Sequence, residues 1–139
     1  AESYTGNHLM KTVMFNMYIE RHNVKGIFQG LRRDEQAARV QDDYFEEKEA
    51  AHLIPPHLRI KPILHFTERL LWNTYQVYKI PYCILYEQGY RSLGAKTTSA
   101  IAAPEVPAWE QDLEHTTERA GRRQDKEQMM GRLRKLGYM

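Results

Sequence analysis

The chain has 139 residues, 42% apolar and 27% charged, with a net charge of +2 and one cysteine, Cys83. That length supports one domain with a modest core, and a single thiol excludes both an internal disulfide and a cysteine-rich zinc site. The longest near-apolar run, residues 80–86, falls far short of the roughly 20 residues that span a bilayer, so no transmembrane segment is expected.

The first predicted element is a helix over residues 7–22, NHLMKTVMFNMYIERH. Asn7 suits an N-cap. Leu9, Met10, Val13, Met14, Met17 and Tyr18 recur at helical spacing and read as a core face, with Phe15 and Ile19 spreading the apolar surface further. Asn23 and Gly26 are expected to end it. After a turn from Gly26 to Gly30, Asp34 is expected to cap a second helix that runs to Pro55-Pro56. Its stripe of Ala37, Val40, Tyr44 and Ala51 is thin, as on a surface helix.

Pro62 suits the first turn of a third helix over 62–79. Ile63, Leu64, Phe66, Leu70, Leu71, Tyr75, Val77 and Tyr78 share its apolar arc. Trp72 falls on the polar side, which fits either a partner contact or a ring packed under a loop. Tyrosines at 75, 78, 82, 86 and 90 form a stripe that Pro81 bends. Pro81 is expected to start a further helical segment lined by Tyr82, Tyr86 and Tyr90, with at least two of the five tyrosines only partly buried. Residues 95–108, rich in Ala, Thr and Pro, read as a linker. A polar helix is expected beyond it, with Trp109, Leu113, Ala120, Met130 and Leu133 as sparse apolar points. The expected architecture is all-α: a helical core domain over 1–94, a linker over 95–108, and a charged helix over 109–139 docked on a partner.

Catalytic patterns are sparse. Glu49 and His52 have the Glu-x-x-His spacing of di-iron bundles, but the second such motif those sites need is missing. There is no G-x-S-x-G turn and no glycine-rich phosphate loop. Cys83 lies in an apolar run, where packing is the simplest role. The acidic stretch 42–49 lies on a surface-type helix rather than in a pocket. These readings predict no enzyme, no cofactor and no metal.

The basic stretch 119–135 carries Arg119, Arg122, Arg123, Lys126, Arg132, Arg134 and Lys135 against Asp125 and Glu127. A solvated face is the plain reading; RNA, anionic lipid or an acidic protein surface are the sharper ones. The expected partner contacts are Trp72, Tyr82, Tyr86, Tyr90, Trp109, Arg119, Arg122, Arg123, Arg132 and Arg134. A tyrosine stripe of this size exceeds what the chain's own apolar faces can cover, and tyrosine suits half-wet interfaces.

Residues Gly30-Leu31-Arg32-Arg33-Asp34, the pair Asp42-Asp43, Lys48-Glu49-Ala50, Pro56 and the stop at Ile80-Pro81 follow one another in an order that resembles subunit seven of mitochondrial ubiquinol–cytochrome c reductase, respiratory complex III. That resemblance spans residues 30–81. It implies a non-catalytic accessory subunit on the matrix side of the inner membrane, in contact with other subunits of a large complex and with anionic lipid at the membrane surface. A chain start without Met or an apolar signal region would accord with a removed targeting peptide or with a chosen start point. The alternative is a mitochondrial ribosomal protein whose basic 119–135 segment meets RNA, although a net charge of +2 is low for that role. A third reading, a small helical enzyme built on Glu49 and His52, would require a bound transition metal.

Overall fold

A computed structural model describes residues 2–35, 37–51, 54–94, 96 and 99–118. The fold is mixed α/β, which corrects the all-α expectation. Helix α1 spans Glu2–Arg21 and is followed by strands β1 (Gly26–Phe28), β2 (Phe45–Lys48) and β3 (His57–Ile60), then by helix α2 (Glu68–Val77). Short 3-10 turns lie at Arg33–Glu35, Ala37–Arg39, Ile84–Tyr86 and Ala108–Glu110. The described chain forms two compact units, residues 2–31 with 43–64 and residues 32–42 with 65–118.

In the first unit the three strands are ordered β1-β3-β2, with β1 parallel and β2 antiparallel to β3. Helix α1 starts ahead of Asn7, so Asn7 is not its cap. Its other end is closed by Asn23 at φ 50. The Asn23 N–H donates to the Glu20 carbonyl and the Val24 N–H to that of Ile19. This is a left-handed C-terminal cap, which asparagine tolerates better than most residues. Gly26 belongs to β1 rather than to the helix end. Among the described side chains of α1, Asn16 and Ile19 are buried, while Met10, Val13, Met14 and Met17 are exposed. The expected core face is therefore not a core within this unit.

The helix expected over 34–54 is absent, because cross-strand pairing outweighs helical propensity there. Glu46 lies opposite Arg59 and Glu47 opposite Leu58, and an opposite-charge pair on facing strands is stabilising. Buried Lys61 donates to Glu46 at 2.8 Å and Lys48 also reaches that carboxylate. A buried ammonium needs such a partner. On β3, His57 is buried, with Nδ1 2.8 Å from the Pro55 carbonyl and Nε2 accepting from Arg59 Nε at 3.2 Å. The proton therefore sits on Nδ1.

Burial works against the Glu46 charge, but hydrogen bonds from Lys48 and Lys61 outweigh it and hold the carboxyl down at about 2. A carboxyl held low in the fold contributes stability that is full above its ordinary value of 4.5 and is lost as pH falls towards 2. Glu46→Gln is expected to flatten the acid loss of stability across that window. At neutral pH it should cost no more than about 1 kcal/mol, because the side chain is one-third exposed and water screens it. Identical acid slopes in thermal melts of variant and parent would rule this out.

In the second unit Pro62 does not begin a helix. It heads a turn, and α2 starts six residues later behind Thr67. Thr67 Oγ1 accepts the Leu70 N–H at 3.1 Å, and Asp34 Oδ2 accepts the Glu68 N–H at 2.6 Å. Two of the four donors that a helix start leaves unpaired are thus satisfied. Lys79, at φ 51, closes the other end, with Lys79 N–H to Gln76 and Ile80 N–H to Tyr75. Pro81 then leads into an extended stretch and one 3-10 turn rather than a second helix.

The expected linker is not a free one. Residues Tyr90 and Ile101 form an antiparallel bridge. The Gly89 carbonyl accepts N–H groups from Ala102 and Ala103 and the side-chain amide of Gln111. Ala108 is fully buried against Trp72 and Leu113. Residues 109–118 form a 3-10 turn and further turns instead of a continuous helix, and residues 119–139 lie outside the described ones.

Candidate functional site

Charged side chains are buried throughout the second unit: Arg32, Glu35, Arg39, Glu68 and Arg91 are each less than a tenth exposed. Such residues are almost never buried without partners, and here each is paired. Arg91 Nε and Nη2 grip both oxygens of Glu68 at 2.7–3.1 Å. Nη2 also donates to the Thr116 carbonyl at 2.7 Å, while Nη1 donates to the Asp112 carbonyl at 3.2 Å and to Thr116 Oγ1. All five N–H groups of the guanidinium are therefore committed.

Arg32 forms the second node. Its Nε donates to Asp34 at 2.9 Å, its Nη2 to Glu118 at 2.7 Å, and its backbone N–H to Glu35 at 3.0 Å. Glu35 is in turn ion-paired with Arg39. Burial opposes the Arg32 charge, but Glu118 and Asp34 hold its pKa above the ordinary arginine value. For Glu68, burial is the largest influence and pushes the carboxyl up. Arg91 opposes that push, and the charge of Glu118 adds to it. Asp34 carries two duties, since it binds Arg32 and caps α2. The network thereby ties the Arg32-to-Glu35 turn, the N-terminus of α2, residues 91–92 and residues 112–118 together within the second unit.

A cavity of about 470 Å³ opens on this network. Ala100, Ile101, Ala102, Ala103 and Val106 form an apolar wall. The rest of the lining is polar, with Arg91, Ser92, Asp112, Thr117 and Glu118 among it. Glu118 Oε2 is held by Arg32, whereas its Oε1 meets Ser92 Oγ only at 3.4 Å.

The expected partner contacts fare unevenly. Trp72 is buried at the centre of an aromatic cluster, with ring centroids 5.0 Å from Tyr86, 5.4 Å from Trp109 and 5.9 Å from Tyr82. Within this chain Trp72 is thus a packed ring. Tyr86 and Trp109 are half-buried in that cluster, and Tyr82 is partly exposed with its hydroxyl on Glu87. Tyr90 is half-buried and bridged to Ile101, and Tyr78 is exposed. Arg119, Arg122, Arg123, Arg132 and Arg134 lie outside the described residues, as does His52 of the Glu49-x-x-His52 pair. Cys83 is exposed, not packed. Among the described residues no group of three or more His, Cys, Asp or Glu side chains is placed to hold a metal, and no helix is long and apolar enough to cross a membrane.

The Arg32, Glu68, Arg91 and Glu118 network went unread in the sequence. The one available signal was the density of charge beside glycine in Gly30-Leu31-Arg32-Arg33-Asp34 and Gly89-Tyr90-Arg91-Ser92, where polar turns must be satisfied internally if they are buried.

The architecture is of the Rossmann-like α/β class. Yeast FAD synthetase in complex with FAD matches it with a TM-score of 0.65 over 81% of this chain and 54% of that one, at 17% identity. Candida glabrata FMN adenylyltransferase in complex with FMN and an ATP analogue matches with a TM-score of 0.51 over 58% of this chain and 26% of that one, at 25% identity. The sequence profile of the phosphoadenosine phosphosulfate reductase domain matches residues 2–101, and the chain belongs to that family. The phosphoadenosine 5'-phosphosulfate reductase of Xanthomonas oryzae pv. oryzae is 32% identical over 88 residues, which are 63% of this chain and 34% of that protein. The chain thus spans about a third of the length of this curated relative.

Family membership overturns the resemblance to a complex III subunit. With it go the non-catalytic accessory role, the respiratory and ribosomal readings, and the expected partners in a large complex, since the family is one of enzymes.

Proposed function

We propose that the chain forms part of the nucleotide site of an enzyme that acts on an adenine nucleotide. The observation that carries this reading is the family match over residues 2–101. The related reductase is named for a substrate of that kind, phosphoadenosine 5'-phosphosulfate. The second unit suits the task physically. Its arginines are consumed in holding turns together, so the surrounding groups are fixed before a substrate arrives, and such preorganisation lowers the cost of binding. Isothermal titration with adenosine 3',5'-bisphosphate, ATP and GTP is the test. The expected result is binding of an adenine nucleotide at least tenfold tighter than GTP. Binding of none of them, or no preference over GTP, would defeat the reading.

A second reading is adenylyl transfer to a flavin mononucleotide. It is favoured by the 25% identity to the Candida glabrata FMN adenylyltransferase held with FMN and an ATP analogue. Here ATP should bind more tightly than the bisphosphate, and FMN should bind alongside it.

A further inference from the structure

We propose that the cavity of the second unit receives the uncharged end of the nucleotide, a ring with its sugar or polyol, and excludes phosphate. The inference rests on the proposed function and deepens it. Among the described lining residues Arg91 is the one cation, and its five N–H groups are already spent on Glu68, Asp112 and Thr116. Asp112 and Glu118 line the same space. The described lining residues therefore sum to one net negative charge with no spare guanidinium among them, which disfavours an incoming phosphate.

What the cavity offers instead is an acceptor together with an apolar wall. Glu118 Oε1, with only a long contact from Ser92, can accept an N–H or O–H at the strength of a charge-assisted bond. In the same lining, Ala100, Ile101, Ala102, Ala103 and Val106 supply apolar surface against which a ring can pack. The volume of about 470 Å³ is in the range of small-ligand sites. Hydrogen bonds from Ala102, Ala103 and Gln111 to the Gly89 carbonyl hold the wall in place. Eight of the twelve lining residues follow residue 101, where the family match ends. The selectivity of this pocket is thus a property of this chain beyond the matched region.

The test uses the full chain with adenosine, riboflavin and inorganic pyrophosphate as probes, followed by titration calorimetry. Ala102 is exposed and lines the cavity, so Ala102→Trp adds bulk at its wall. Ala100→Trp does the same from a second point and serves if the first variant melts early. The expected result is that adenosine or riboflavin binds the parent and loses at least tenfold in affinity in the Trp variants, while any pyrophosphate binding is unchanged. Adenosine identifies the base and ribose as the occupant, and riboflavin identifies a flavin. The proposal is overturned if the parent binds neither, if the Trp variants bind both as well as the parent, or if pyrophosphate binding is what the variants lose. ATP that binds parent and Trp variants equally would defeat this inference and leave the proposed function standing. A Trp-sensitive riboflavin site in a chain that ignores adenine nucleotides would do the reverse.

Discussion

Arg91→Met is expected to destabilise the protein by about 3–5 kcal/mol, read from urea unfolding midpoints. The variant keeps the side-chain bulk but strips Glu68 of its bidentate partner and removes the guanidinium donor from the Thr116 carbonyl, while the Asp112 carbonyl keeps only the Thr116 hydroxyl. Glu68 is buried, so its carboxylate has no water to replace the guanidinium. Its pKa is already pushed up by burial in the intact fold, and removal of Arg91 pushes it further. An acid with a raised folded pKa costs stability only where it must ionise. The deficit should therefore be smaller at low pH and grow as pH rises. The double variant Glu68→Met with Arg91→Met should recover part of the loss, since two apolar groups in place of a buried pair are often tolerated. A single-variant loss below about 1 kcal/mol would mean that the pair behaves as a surface salt bridge, which its burial contradicts.

The second large effect is expected at Gly89. Its φ of 94 lies in the region that side-chain-bearing residues rarely adopt, and a Cβ there would sit 2.0 Å from the Ala103 carbonyl oxygen. The obstruction is backbone that cannot rotate away. Gly89→Ala should cost about 3 kcal/mol, from backbone strain and overpacking together. It should also loosen the wall formed by residues 101–103, so probe binding in the cavity should weaken in the same variant. Gly30→Ala is the matched control, since its Cβ would meet only the Ile63 Cδ1 at 4.0 Å. Equal melting temperatures for Gly89→Ala and the parent would sink the assignment.

Legibility in the sequence tracked the range of the interactions. Helix α1 and the Asn23 end were readable because apolar spacing and caps are local signals. So was the stop at Ile80-Pro81, although its agent is Lys79 in a left-handed conformation. The sheet was not readable. Strands of three and four residues carry little periodicity, and Phe45-Glu46-Glu47-Lys48 reads as a helix face until Arg59 and Lys61 are placed beside it. The start of α2 was misplaced because Pro62 is a permitted first-turn residue, whereas Thr67 is a working cap and Asp34 reinforces it from 34 residues away. The Gly30-to-Asp34 stretch did stand out and was attributed to the wrong family. Its meaning lies in Glu118 and Glu68, which no local pattern connects to it.

The two units are interleaved along the chain, and this has a consequence for the order in which the protein can form during synthesis. Residues 32–42 leave the ribosome in the middle of the first unit but belong to the second. Strand β3 can complete the sheet once residue 60 has emerged, with the 32–42 stretch looped out. Asp34 then waits for Glu68, and Arg32 waits 86 positions for Glu118. Until those partners arrive, a guanidinium destined for burial remains in water, and the loop it will close is long enough that its entropy must be met late. The second unit is thus made last and locked from its far end, and a chain stopped at residue 94 would lack the clasp that holds its own beginning.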